Sequence, residues 1–305
     1  MPEAVPIPYT ALGKPITEYV EYNKAKFLTT TWKVPHNVQY KGKIFYVHGF
    51  MESASIYTEF FDNLSQNGYE VFFFDQRGSG ETSPHDLGGT NEFYTFDDLD
   101  FFLKRSLDAR TDPKEKFILM GHSMGGGIIL NYGIRGKYKD GIKAIVACGP
   151  LIKLHPKTQP NIVSRVALPY VSKVLPNFKL DSKLEYDYIT SNKRWQNYIR
   201  EHDKKLIGSL GQFNDMFKRG KDLLNPEYAK KFDTKIALLI VHGTHDYIND
   251  IKGSEEFFPL LPKDMNKVFD RIDAGRHSLF VENDELFKLV FKKVTDFLQE
   301  YAKKD

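Results

Sequence analysis

A chain of 305 residues, 41% hydrophobic and 27% charged, holds enough material for one large α/β domain, or a domain with a small insertion, around a sizeable core. Its 43 basic and 40 acidic side chains leave a net charge of +3, which gives no electrostatic footprint for nucleic acid; its one cysteine, Cys148, excludes an internal disulfide and suits a reducing compartment. No run of 18 apolar residues is present to span a membrane, the acidic, proline-bearing start MPEAVPIPYTALGKP does not read as a signal peptide, and the end YAKKD matches no lipidation signal.

Taken in order, short apolar runs alternate with helical periods. KIFYV (Lys43–Val47) ends at His48-Gly49, VFFF (Val71–Phe74) at Asp75, and FILM (Phe117–Met120) at Gly121. IKAIVA (Ile142–Ala147) ends at Gly149-Pro150, IALLIV (Ile236–Val241) at His242-Gly243, and VFDRI (Val268–Ile272) near Ala274-Gly275. Continuous apolar runs closed by glycine read as buried parallel strands. Helical periods lie between them, such as Phe60, Phe61 and Leu64 ahead of Asn67-Gly68. The alternation predicts a mostly parallel, doubly wound α/β sheet. Leu286, Phe287, Val290, Phe291, Val294, Phe297, Leu298 and Tyr301 share one face of a final helix that packs on the core.

Residues 151–225 break this rhythm. They contain Pro156, Pro160, Pro169 and Pro176 and no strand-like run closed by glycine. Val163, Val166, Ala167, Tyr170, Val171 and Val174 recur at helical spacing, with Arg165, Lys173 and Lys179 among them. The segment reads as a helical cap, 151–225, inserted between two parts of the core, 1–150 and 226–305. Its apolar stripe either packs onto the core or meets a membrane surface.

The chemistry centres on Gly121-His122-Ser123-Met124-Gly125, a G-x-S-x-G motif between the FILM strand and a helical run opened by Gly125-Gly126-Gly127. That strand–turn–helix setting is what a serine nucleophile elbow requires, and it points to an α/β-hydrolase with Ser123 as nucleophile. A serine hydroxyl needs a base to take its proton, and histidine titrates in the working range. In this fold the order is serine, acid, histidine, so the base should lie late: His277, in the loop after VFDRI. The acid should follow the preceding strand, which selects Asp246, with Asp250 as the alternative. Asp75 also ends a strand but precedes the serine. An oxyanion needs two backbone N–H donors, one from Met124 and one from Phe50 in the loop after KIFYV; His48 reads as packing beneath that loop. His242, His245 and Asp246 are too sparse to predict a metal, and no cofactor is expected.

Long runs of the chain resemble the monoglyceride lipases, most closely the fungal ones: SQNGYEVFFFDQRGSGETSP (65–84), GHSMGGGIILNY (121–132), GPLIKLHP (149–156), INDIKGSEEF (248–257) and GRHSLF (275–280). The resemblance implies hydrolysis of monoacylglycerols to fatty acid and glycerol by Ser123, Asp246 and His277, with Phe50 and Met124 as oxyanion donors. It also implies a mobile apolar cap that meets membranes or lipid droplets, hence a cytoplasmic protein peripheral to droplets and the endoplasmic reticulum. A broader esterase, lysophospholipase or acyltransferase would use the same three residues, and a non-catalytic binding protein would have no use for all three in order. The family reads His-Gly-x-Gly-Glu at the oxyanion loop, whereas this chain has His48-Gly49-Phe50-Met51-Glu52. A positive φ at position 51 would strain methionine.

Overall fold

The computed structural model describes residues 5–202 and 206–301. The readings of the two chain ends rest in part on residues 1–4 and 302–305, which lie outside the described residues. Nineteen named elements follow one another along the described chain. They are β1 (Ile16–Tyr22), β2 (Ala25–Trp32), β3 (Gly42–Val47), α1 (Thr58–Gln66), β4 (Tyr69–Phe74), α2 (Glu92–Ala109), β5 (Phe117–His122), α3 (Met124–Arg135) and β6 (Ile142–Cys148). Then come α4 (Ile162–Val174), β7 (Lys179–Asp181), α5 (Lys193–His202), β8 (Ile207–Ser209), α6 (Leu210–Leu223) and α7 (Pro226–Ala229). The chain closes with β9 (Ala237–Gly243), α8 (Ile251–Phe257), β10 (Lys267–Ile272) and α9 (Asp284–Tyr301).

Eight strands form one sheet in the order β1-β2-β4-β3-β5-β6-β9-β10. The neighbours from β4 to β10 pair in parallel, while β1–β2 and β2–β4 are antiparallel. All six apolar runs are strands of this sheet. Alternate side chains of each central strand feed opposite faces, because successive Cβ atoms point to opposite sides. Ile44, Tyr46, Ile118 and Met120 join α1 and α9 on one face, whereas Phe45, Val47, Phe117 and Leu119 join α2 and α3 on the other. The last helix buries Phe287, Val290, Val294, Phe297 and Leu298, so its stripe is core.

The β1–β2 hairpin gives no apolar run in the sequence. Its residues ITEYVEY are mostly exposed, and in β2 the buried apolar anchors are Phe27 and Trp32, on opposite faces of the strand. Asn23 and Lys24 join the strands with φ of 43° and 64°, the left-handed pair of a two-residue hairpin turn.

Between β6 and β9 the chain leaves the large sheet. This stretch holds α4 to α7 and, where the sequence shows no strand signal, a two-stranded antiparallel ribbon of β7 and β8. The ribbon strands are three residues long, too short for a periodic signature. Pro169 sits inside α4, whose outward side exposes Ile162, Val163, Val166, Tyr170 and Val174.

Aromatic packing ties α1 to the loop after β10. Phe60 is fully buried and stacks on Phe280 with ring centroids 4.0 Å apart. Phe60→Ala should cost about 3–5 kcal/mol, read as a lower urea midpoint at unchanged m-value.

Candidate active site

Every residue picked for chemistry lies just past the carboxyl end of a parallel strand, where open α/β sheets bind their ligands. Phe50 follows β3, Ser123 follows β5, Asp246 follows β9, and His277 follows β10. Ser123 adopts φ 53° and ψ −117° between β5 and α3. A non-glycine residue held there is a strained hinge, and the turn survives because strand and helix are clamped together. The clamp needs glycine: a Cβ on Gly125 would lie 1.9 Å from the Val47 carbonyl oxygen. Met124 is the first residue of α3, so its N–H has no partner within the helix, and the helix dipole favours negative charge beside it.

Asp246 is buried and bonded on both oxygens. Oδ1 accepts the N–H groups of Ile248 at 2.8 Å and Asn249 at 2.9 Å. Oδ2 faces His277 Nδ1 at 2.8 Å and His242 Nε2 at 3.2 Å. Burial alone would push this carboxyl up; the two imidazoles, His277 first, outweigh it and hold it far below the usual carboxylate range. His277 moves the other way from a free imidazole. Burial lowers its pKa, Asp246 pulls it up, His122 pushes it down again, and the net shift is below the ordinary value of 6.5. Because Nδ1 faces the carboxylate, the Nε2 lone pair is left to accept a proton.

The alternative acid, Asp250, takes no part: its side chain caps α8 by accepting the Lys252 N–H. Asp75 accepts the Glu81 N–H, and its burial raises its pKa to about 6. His48 is buried under its loop, accepting the Gln76 N–H at 2.9 Å and stacking on Phe73. Among the described residues no group of three or more His, Cys, Asp or Glu side chains could hold a metal ion.

Met51 has φ 54° and a buried side chain, so the methionine does occupy the left-handed backbone anticipated at that position. Glu52 holds the loop. Its Oε2 accepts the Gly49 N–H and the Tyr57 hydroxyl, the latter at 2.6 Å, while Oε1 meets His122 Nδ1 at 2.6 Å. His122 Nε2 donates to the His277 carbonyl at 3.1 Å. Burial works against charge on both partners, but each outweighs it for the other: His122 is raised above and Glu52 lowered below its ordinary pKa. This second buried pair joins the oxyanion loop, the elbow and the His277 loop. Both members lie inside quoted motifs, yet nothing in their spacing signals that they meet. Asn249, which lies in the quoted run INDIKGSEEF but is given no role in the sequence reading, also reaches the serine: its Nδ2 donates to Ser123 Oγ at 3.4 Å and to the Gly149 carbonyl at 2.8 Å.

Ser123 and His277 open into one cavity of about 460 Å³. Phe50, Leu151, Leu168, Leu210, Phe213 and Ile248 give it apolar walls, with α4 and α6 forming its roof.

The depressed carboxylates make stability depend on acid. The unfolded chain binds protons near the ordinary carboxylate value of about 4, whereas folded Asp246 and Glu52 resist them. Their stabilisation is present above that value and is lost as pH falls toward the folded values. Tm should therefore drop steeply below about pH 4, and Asp246→Asn should flatten that slope in a calorimetric pH series.

A family profile described as "Serine aminopeptidase, S33" (Hydrolase_4) matches residues 38–284. The chain is similar to the monoglyceride lipase of Saccharomyces cerevisiae, at 36% identity over 306 residues covering 97% of each protein. It is more distantly similar to the monoacylglycerol lipase of Mycolicibacterium smegmatis, at 26% identity over 85% of this chain and 88% of that protein. The crystal structure of a soluble variant of the S. cerevisiae lipase, in complex with a substrate analogue, superposes with a TM-score of 0.91 over 97% of this chain and 99% of that one. The monoacylglycerol lipase of Paleococcus ferrophilus shares the fold alone, at 20% identity and a TM-score of 0.75 over 90% of this chain and 99% of that one.

Proposed function

This chain belongs to the serine aminopeptidase S33 family of α/β-hydrolases, and from that premise we propose that it hydrolyses monoacylglycerols to a free fatty acid and glycerol. One observation carries the reading: the Ser123 hydroxyl and the His277 imidazole both open into an apolar cavity large enough for a long acyl chain, with Asp246 behind the imidazole.

In this reaction Ser123 Oγ attacks the ester carbonyl as its proton passes to His277 Nε2. Asp246 holds the Nδ1–H tautomer and stabilises the imidazolium that forms. The Phe50 and Met124 N–H groups receive the oxyanion, each worth about 10²–10³ in rate. His277 then protonates the departing glycerol oxygen. Water attacks the acyl-enzyme with the same base, the C–Oγ bond breaks, and the fatty acid leaves. In the resting state Ser123 Oγ is bonded to Asn249 rather than to His277, a looseness common before substrate binds. Because neutral His277 is the working form and its pKa is depressed, the base stays competent into mildly acidic solution.

Residues 151–225 act as the cap. Leu168 and Val171 of α4 and Leu210, Phe213, Met216 and Phe217 of α6 close over the cavity. The outer side of α4, with Tyr170 and Val174 each at least 70% exposed, is the surface that meets a lipid droplet or a membrane of the endoplasmic reticulum from the cytoplasmic side. No described helix is long and apolar enough to cross a membrane, so contact of this kind is peripheral.

Ser123→Ala should abolish monoacylglycerol hydrolysis and labelling by a fluorophosphonate probe; retained turnover would refute the assignment. A panel of monoacylglycerols, diacylglycerols and lysophospholipids should show preference for the first. Val166→Asp with Val174→Asp should reduce flotation with phospholipid vesicles while hydrolysis of a soluble short-chain ester persists, and equal flotation would count against the cap as the contact.

A further inference from the structure

Asn249 is 1% exposed, lines the cavity and reaches both the acid and the serine through separate atoms. Its backbone N–H donates to Asp246 Oδ1 at 2.9 Å, and its carbonyl meets His242 Nε2 at 3.3 Å. Its side-chain orientation is fixed by the Gly149 carbonyl, which can only accept: Nδ2 must be the atom 2.8 Å away. The second Nδ2 hydrogen is then directed to Ser123 Oγ at 3.4 Å. The opposite atom, Oδ1, is buried and has no hydrogen-bond partner. The amide therefore keeps this orientation although its own acceptor is left unpaired, and the Nδ2 contacts to Gly149 and Ser123 are what set its direction.

We propose that Asn249 is a further catalytic residue, whose amide N–H steadies Ser123 Oγ as charge builds there, first as the hydroxyl attacks and again as the acyl-enzyme breaks down. The proposal rests on Ser123 being the nucleophile. During deacylation the water oxygen bonds to the acyl carbon. One water proton goes to His277 Nε2, while the other stays on that oxygen. The C–Oγ bond then breaks, and His277 returns its proton to Oγ. As that oxygen takes up negative charge, the Nδ2–H bond shortens and strengthens. Asn249 itself gains and loses no proton, so it leaves the pH profile in place.

The test compares the parent with Asn249→Leu, which keeps the shape and removes the Nδ2–H donor, and with Asn249→Ser, read in its place if the leucine variant fails to fold. A p-nitrophenyl ester gives the burst and steady-state rates, a fluorophosphonate gives the phosphonylation rate of Ser123, and melting curves report folding. The expected result in a folded variant is a fall of about 10²-fold in kcat, slower phosphonylation and a KM close to the parent's. A kcat and phosphonylation rate within twofold of the parent overturn the proposal, as does a loss carried by KM alone. If the parent is not labelled at Ser123 at all, it is the nucleophile assignment that fails instead.

Discussion

A carboxylate enclosed in the protein interior must be met on every side, and Asp246 is met by two backbone N–H groups and two imidazoles. An unpaired charge at that depth would unfold the site, so the turn after β9 is shaped to bring the amides of Ile248 and Asn249 onto one oxygen. The other oxygen then has a single direction left for His277, and the imidazole inherits its orientation from the backbone turn. Placing the acid thus also places the base. It brings the Asn249 side chain to Ser123 as well, because the residue whose amide satisfies the acid is the one whose side chain reaches the serine.

A second buried ion pair is built on the same principle from the opposite side. Glu52 and His122 join the loop after β3 to the elbow, and His122 reaches the backbone of His277. The rings of His122 and His277 are 4.5 Å apart. Two imidazolium ions could not share that space at low cost, so the one kept charged by Glu52 favours the neutral form of its neighbour. Of these two histidines, His122 is biased toward its charged form and His277 toward its neutral one. Both are positioned by carboxylates from different strands.

Much of this was legible in the sequence because the signals are local. Short apolar runs, all but VFFF closed by a nearby glycine, marked the six strands from β3 to β10 in the main sheet, and the glycines around Ser123 marked the elbow. The hairpin β1–β2 was not legible, since an edge hairpin exposed along much of one face needs no apolar run; the turn at Asn23-Lys24 was its only sign. The ribbon of β7 and β8 was missed because three residues carry no period. The pairing of Glu52 with His122, and the reach of Asn249 to Ser123, join residues 70 and 126 positions apart. No spacing rule reports contacts that only the closed sheet creates. Met51 was legible as a conflict, and the structure retains it: the loop demands the left-handed conformation, and the methionine accepts the strain while its side chain fills space beside the cavity.

The His277 loop is also fastened to the segment that leads into α5. Its N–H groups at 277 and 278 donate to the carbonyls of Tyr188 and Ile189, and the Arg276 guanidinium donates to Thr190. Any fluctuation that lifts residues 188–190 must pull on the backbone of His277. The α4 side of the roof has no such tie to the His277 loop among the described residues. Movement of α4 can therefore leave His277 where it is, while movement of residues 188–190 would carry the His277 loop with it. Among the described residues, the loop that carries His277 is fastened to one wall of the cavity, at Ile189, and not to the wall made by α4.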